Sequence, residues 1–291
     1  MKSIFIKIFT FFLSVYSALA WQAKTPTYPN PYKTVDMSKF EMTFSDEFDG
    51  ELDRTVWGGH YSYGTSSSIR RGSYWNSYIA YTDNGNLVIP IRYLEDGMGG
   101  TGAGWYTAGL DTSGREEGTT GFSQKFGYFE VRCILPKGGD IWSAFWMMNN
   151  QVGNVDGSGR DGTEVDIMES PYYTRKGHNN VVYSNLHWDG YGDAHQGANI
   201  HRVFVKGNPY EEFNTYGLEW NENEYIVYIN GQEYARSSAG GVCQNPLYLI
   251  LSVEMYGENG VASGRDKNAD DAEFIVDYVR AYQYKSILNA Q

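Results

Sequence analysis

Apolar and polar positions alternate with a period of two along most of the chain, in short runs closed by Gly, Asn or Asp. Tyr81-Thr82-Asp83-Asn84-Gly85-Asn86-Leu87-Val88-Ile89 and Tyr225-Ile226-Val227-Tyr228-Ile229-Asn230-Gly231-Gln232 are two such runs. A period of two is the strand period, because successive side chains leave opposite faces of a pleated backbone. Asn-Gly at 84–85 and 230–231 predicts tight hairpins, whose two central residues need positive φ. Neither sustained helical periodicity nor a repeat of roughly 20–50 residues is present. A chain of 291 residues built this way predicts one all-β sandwich rather than two domains. Gly-rich stretches at 97–104, 153–162 and 257–271 predict loops on that scaffold, where binding residues concentrate.

One run departs from simple alternation. Glu164-Val165-Asp166-Ile167-Met168-Glu169 threads three carboxylates through an apolar strand pattern. Alternation sends Glu164 and Asp166 to one face and Glu169 to the other. A β-bulge at Ile167-Met168 adds one residue, resets the alternation and returns Glu169 to the face of the first two acids. Three like charges in a row destabilise a strand, so they need a reason: an acidic solvated face, a calcium site or catalysis. Asn154-Val155-Asp156-Gly157-Ser158-Gly159 invites calcium, but the EF-hand register places Val165 where a bidentate Glu is required. With the bulge absorbed, inward-leaning side chains bring the Glu164 and Glu169 carboxyls to roughly 5–6 Å, the separation of a retaining glycosidase pair. Repulsion then leaves one protonated and one ionised, the division a general acid and a nucleophile need. Asp166 between them would hydrogen-bond the nucleophile and couple the titrations.

The same hexapeptide resembles the Glu-x-Asp-x-x-Glu motif of glycoside hydrolase family 16, in the bulged form of its laminarinase, agarase and carrageenase branches. Further segments agree in order: Phe44-Ser45-Asp46-Glu47-Phe48-Asp49-Gly50, Phe126-Gly127-Tyr128-Phe129-Glu130-Val131-Arg132, Trp142-Ser143-Ala144-Phe145-Trp146, Tyr216-Gly217-Leu218-Glu219-Trp220 and Phe274-Ile275-Val276-Asp277-Tyr278-Val279-Arg280. The resemblance implies a β-jelly roll with a concave cleft over a catalytic domain at 41–285. It also implies endo-acting, retaining hydrolysis of a polysaccharide, with Glu164 as nucleophile and Glu169 as acid/base. Trp142 and Trp146 are expected to stack under sugar rings, His187 to hold Glu169, and Trp105, Tyr106 and Trp188 to serve as subsite platforms. Catalysis needs no cofactor, while a structural calcium is implied at Glu47, the Gly85 carbonyl and Asp277. The expected substrate is a β-1,3- or β-1,3-1,4-glucan. Departures at Ser77-Tyr78 and Ser143 touch that specificity and leave an agarase-like galactan hydrolase, a transglycosylase or an inactive carbohydrate-binding protein as alternatives.

Composition refines the setting. Residues 1–20 read as a signal peptide: Lys2, an apolar stretch, then Ala18-Leu19-Ala20. Residues 21–40, with Pro26, Pro29 and Pro31, read as a leader, and 286–291 as a tail. Removing Lys2 and Lys7 takes the formal charge from −12 to −14, which argues against nucleic acid and suits a neutral polymer. A secreted monomer with a polysaccharide partner and no membrane segment is expected. Arg70, Arg71 and Arg115 are candidates for the groove. Cys133 and Cys243 read either as one disulfide, by compartment, or as buried thiols, because Cys133 alternates with Phe129 and Val131.

Overall fold

The computed structural model describes residues 33–60, 66–115, 120–171 and 179–290. The segment read as a signal peptide and the first part of the leader lie outside the described residues. Two large sheets, antiparallel apart from the Ser73–Trp75 and Gly104–Thr107 pair, face each other across the core, and the architecture is a β-jelly roll. The outer sheet has eleven strands, centred on Gly127–Ile134 and the long Ala272–Tyr284. The inner sheet has eight, in the spatial order Gln196–Phe204, Val181–Trp188, Glu164–Pro171, Ile141–Met148, Leu247–Met255, Gly109–Asp111 and Gly58–Gly59, with Ser123–Gln124 on the side of Leu247–Met255.

Alternation fills the space between the sheets. Phe129, Val131 and Cys133 from the outer sheet meet Phe145, Met147, Val165, Leu186, Leu249, Leu251 and Val253 from the inner one in a single core cluster. All nine residues of Leu247–Met255 are buried, because one face lies on this core and the other floors a cleft. A second, smaller cluster on that cleft side gathers Ala144, Trp146, Met148, Tyr248 and Ile250.

Both Asn-Gly hairpins form. They join Tyr81–Asp83 to Asn86–Leu94 and Tyr225–Ile229 to Gln232–Ser237, with positive φ at Asn84, Gly85, Asn230 and Gly231. The described end of the leader continues this outer edge, where Val35 N–H donates to the Gly231 carbonyl and Glu233 N–H to the Lys33 carbonyl. Among the described residues no helix is long and apolar enough to cross a membrane.

The two cysteines are free and buried. Burial pushes both thiols above their ordinary range, which keeps them protonated and unreactive. Thiol labelling should therefore be silent in the native protein and appear for both cysteines on unfolding. The denaturation midpoint should not move with reductant; a reductant-sensitive midpoint would show that they are bridged instead.

Candidate active site

The site is built on Glu164–Pro171 and its two neighbours. Against Ile141–Met148, Phe145 pairs with Met168 and Trp146 with Asp166, so Ile167 is the inserted residue. Against Val181–Trp188, Asp166 pairs with Asn185 and Glu169 with Tyr183, three residues on one strand spanning two on the other. Ile167 and Met168 are both buried in the core. The Ser184 hydroxyl donates to the Ile167 carbonyl at 2.7 Å, supplying a side-chain partner within the broken ladder. The bulge thus aims Glu164, Asp166 and Glu169 into one cleft of about 460 Å3, which Trp142, Ala144 and Trp146 also line.

Each acid has a distinct surrounding. Glu164 accepts a hydrogen bond from the Tyr191 hydroxyl, on the loop between Val181–Trp188 and Gln196–Phe204. Asp166, 4% exposed, lies 3.3 Å from His187 Nε2. Glu169, 8% exposed, accepts from the Asn185 amide, whose oxygen accepts from Asn199 Nδ2 at 2.8 Å. The His187 ring continues to His195, Nδ1 to Nε2 at 2.9 Å, and the two rings stack with centroids 5.1 Å apart. Tyr191 stacks in turn on His195 at 6.3 Å.

Burial raises all three carboxyls. For Asp166 the charges of Glu164 and Glu254 add to it, and the group stands well above the usual carboxylate range. Glu169 also stands well above that range, pushed by burial and then by Asp166, against the Asn185 hydrogen bond. Glu164 is raised less, because the Tyr191 hydroxyl and His187 oppose its burial. The group with the strongest opposing contacts is the one suited to remain ionised, and Glu169 is suited to carry a proton.

Opposite the acids, Glu254 is gripped by Arg70 Nη2 at 2.5 Å and by Arg71 Nε at 2.5 Å. Arg71 also lies 5.0 Å over the Trp142 ring. Trp146 is fixed by its Nε1–H on Ser252 Oγ at 3.0 Å and by the edge of buried His60 at 5.4 Å.

The structure gathers Glu164, Asp166, Glu169, Trp142, Trp146 and His187 around one cleft. His187 contacts Asp166 rather than Glu169. Trp105 and Trp188 are not at the cleft, and their expected role as platforms is corrected. Both belong to the core: Trp188 follows cleft-facing His187, so strand alternation turns it inward, and Trp105 sits on the fully buried Gly104–Thr107 with Tyr93 edge-on and Arg265 over its ring. Tyr106 is likewise buried, its hydroxyl donating to the Gly102 carbonyl. Arg115 donates to the Tyr248 hydroxyl and is outside the lining.

The calcium set does not fit. Glu47 is forked by Arg280 at 2.9 and 2.7 Å, and Asp277 is paired with Arg132. A guanidinium on each carboxylate opposes a divalent cation there. Atoms of Glu164, Asp166 and His187 do lie within 4.8 Å of one another, the one grouping of three with metal-site spacing among the described residues. Contacts from Tyr191 and His187 already engage its carboxylates.

Four contributors escaped the motif: Glu254, Tyr191, His195 and Asn185. Only Glu254 left a trace, as an acid at a cleft-facing position of an otherwise apolar strand.

A jelly roll with a bulged triad of acids in its concave sheet defines a class of carbohydrate-active enzyme fold, and the comparisons agree. The family model for the GH16 domain of beta-porphyranases A–D matches residues 39–284, and the chain belongs to glycoside hydrolase family 16. It is 28% identical over 269 residues to the endo-1,3-1,4-beta-glycanase ExsH of Rhizobium meliloti, covering 86% of this chain and 53% of that one. It is 29% identical over 262 residues to a keratan-sulfate endo-1,4-beta-galactosidase of Sphingobacterium multivorum, covering 86% and 57%. The chain thus spans little more than half the length of these two relatives. The catalytic domain of an endo-1,3-beta-glucanase (laminarinase) from Thermotoga petrophila superposes with a TM-score of 0.63 at 26% identity, over 84% of this chain and 98% of that one.

Two predictions follow from the electrostatics. A raised carboxyl is fully tolerated below its unfolded value, about pH 4 for Asp, and costs stability as pH rises through its folded value. Asp166→Asn removes that cost, so denaturant midpoints should show the variant gaining on the parent near neutral pH and the gain fading at about pH 4; a gain independent of pH would refute the argument. Tyr191→Phe deletes a contact that lowers the Glu164 carboxyl, so the acidic limb of kcat/KM should move to higher pH. An unmoved limb would remove Tyr191 from that role.

Proposed function

We propose that this protein is a secreted, endo-acting, retaining glycoside hydrolase that cleaves internal β-linkages of a polysaccharide. The observation that carries the reading is the bulge, which delivers Glu164 and Glu169 to one cleft with Asp166 between them. Glu164 attacks the anomeric carbon while protonated Glu169 gives its proton to the leaving oxygen. Glu169, now ionised, takes a proton from water, which releases the sugar from Glu164 with net retention. Asp166, held by His187, keeps the two titrations apart.

The proposed substrate is a neutral β-1,3- or β-1,3-1,4-glucan. Arg70 and Arg71 are the cleft's guanidinium groups among the described residues, and both are ion-paired with Glu254, which disfavours a sulfated chain. The relatives named as a 1,3-1,4-beta-glycanase and a laminarinase support this choice. A β-galactan is the second reading, supported by the porphyranase-type family model and the keratan-sulfate galactosidase relative. Lys2, the apolar stretch after it and Ala18-Leu19-Ala20 support secretion.

Reducing-end release from laminarin, lichenan, agarose and porphyran separates the two substrates. Proton NMR of the earliest product should show the β-anomer; an α-anomer first would overturn retention. Glu164→Ala and Glu169→Ala should each lose several orders of magnitude in kcat. Azide should rescue the first as an α-azide and the second as a β-azide, and reversal of that pattern would exchange the assigned roles.

A further inference from the structure

Beyond the catalytic cleft, the strand Leu247–Met255 continues its cleft-facing row. Ser252 and Glu254 line the cleft, Met255 turns into the core, and Tyr256, just past the end of the strand, is exposed. From Ser252 to Tyr256 the chain spans about 13 Å. Tyr256 opens a second groove of about 820 Å3, lined also by Ile69, Arg71, Glu258, Asn259 and Val261. Arg71 lines both grooves, so they adjoin.

This second groove is built on tightly connected backbone. Its wall is a small hairpin in which Gly257–Glu258 pairs with Val261–Ala262. Gly260 N–H donates to the Arg71 carbonyl at 2.8 Å, Gly72 N–H to the Met255 carbonyl at 2.9 Å and Tyr256 N–H to the Asp140 carbonyl at 2.9 Å. The approach at Gly72 is close enough that a Cβ would stand 2.5 Å from the Tyr256 carbonyl oxygen. Yet three apolar side chains are left facing outward: Tyr256 at 51%, Ile69 at 58% and Val261 at 69% exposure. An aromatic ring flanked by aliphatic carbon, with Asn259 and Ser263 at its margin, matches the chemistry of a pyranose, apolar on its C–H faces and hydroxylated at its rim.

We propose that the groove around Tyr256 is a distal subsite that holds the unreacted flank of the same glycan chain, with a sugar ring on Tyr256 between Ile69 and Val261. The proposal rests on the hydrolase reading, and its occupant is fixed by continuity with the catalytic cleft through Arg71. Binding there is spent on holding long chains in place.

The test compares oligosaccharides of increasing length from the polymer that the reducing-end screen identifies. In Tyr256→Ala the ratio of kcat/KM for long over short chains should fall about tenfold, through KM rather than kcat. Val261→Asp should do the same if Tyr256→Ala folds poorly, whereas Met42→Ala, on the outer sheet, should keep the parent ratio. Calorimetry with the inactive Glu164→Gln background should show the same length-dependent loss of affinity. An unchanged ratio and unchanged affinity in both groove variants would overturn the subsite and leave the hydrolase standing. A parent protein that neither cleaves nor binds any polysaccharide would overturn both. A concentration-dependent mass that disappears in Val261→Asp, with the length ratio intact, would assign the patch to a second copy of this chain and overturn the glycan.

Discussion

Strict alternation would drive the Glu169 carboxylate into a core made of Val165, Leu186 and Leu249, and the inserted Ile167 prevents it. The bulge gives up regular pairing at one point of the ladder, a loss of about 0.5–1.5 kcal/mol for a hydrogen bond. It gains the burial of Met168 beside Ile167, worth about 1.5–3 kcal/mol, since strict alternation already turns Ile167 to the core with Val165. The balance favours the bulge even before Ser184 supplies its hydroxyl to the Ile167 carbonyl. Hydrophobic anchoring on one face of the strand therefore sets the aim of the acids on the other.

That aim has a cost in electrostatics. Three carboxyls within one cleft are raised by desolvation, and Asp166 and Glu169 also by the charges of their neighbours in the triad, so ionising the triad works against the fold. The side chains around it set how unequal the three become. Tyr191 reaches Glu164 from a loop, Asn185 reaches Glu169 from the adjacent strand, and His187 meets Asp166. Glu254, equally buried, is handled by another device, a pair of arginines that hold it ionised while its charge still raises Glu164 and Asp166. Chemistry is thus divided across the floor: protonatable acids on one side, an arginine-paired carboxylate on the other.

How much of this could be read from residue order depends on how local each feature is. The hexapeptide carries its own geometry, since charge spacing and apolar residues within six positions imply the bulge. The Asn-Gly hairpins are equally local, as is the shared face of Trp142 and Trp146. Trp188 shows the opposite case, because resemblance to a sugar-stacking tryptophan outweighed the alternation that turns it inward beside His187. The ion cluster was out of reach as a unit: Arg70 and Arg71 come from the edge of one sheet and Glu254 from the middle of the other, joined only by topology. The arginines that occupy Glu47 and Asp277 became visible only with register, which sets Arg132 opposite Tyr278, beside Asp277. Tyr191 and His195 lie on a loop, where no periodicity reports direction.

Arg71 joins these levels. It adopts a left-handed backbone, φ 51°, unfavourable for a residue with a Cβ by about 1–2 kcal/mol. A parallel bridge to Met255, the Gly260 hydrogen bond to its carbonyl, the Glu254 ion pair and the Trp142 ring all meet at this one residue. Any one of them is comparable to the strain, and together they exceed it. The strained turn ties the edge of the outer sheet to the end of Leu247–Met255, where Arg71 bridges Met255 and Gly72 N–H donates to the Met255 carbonyl. Arg71 lines both the cleft over the three acids and the groove around Tyr256, so the strained turn stands where the two meet and a single residue fixes their relative position.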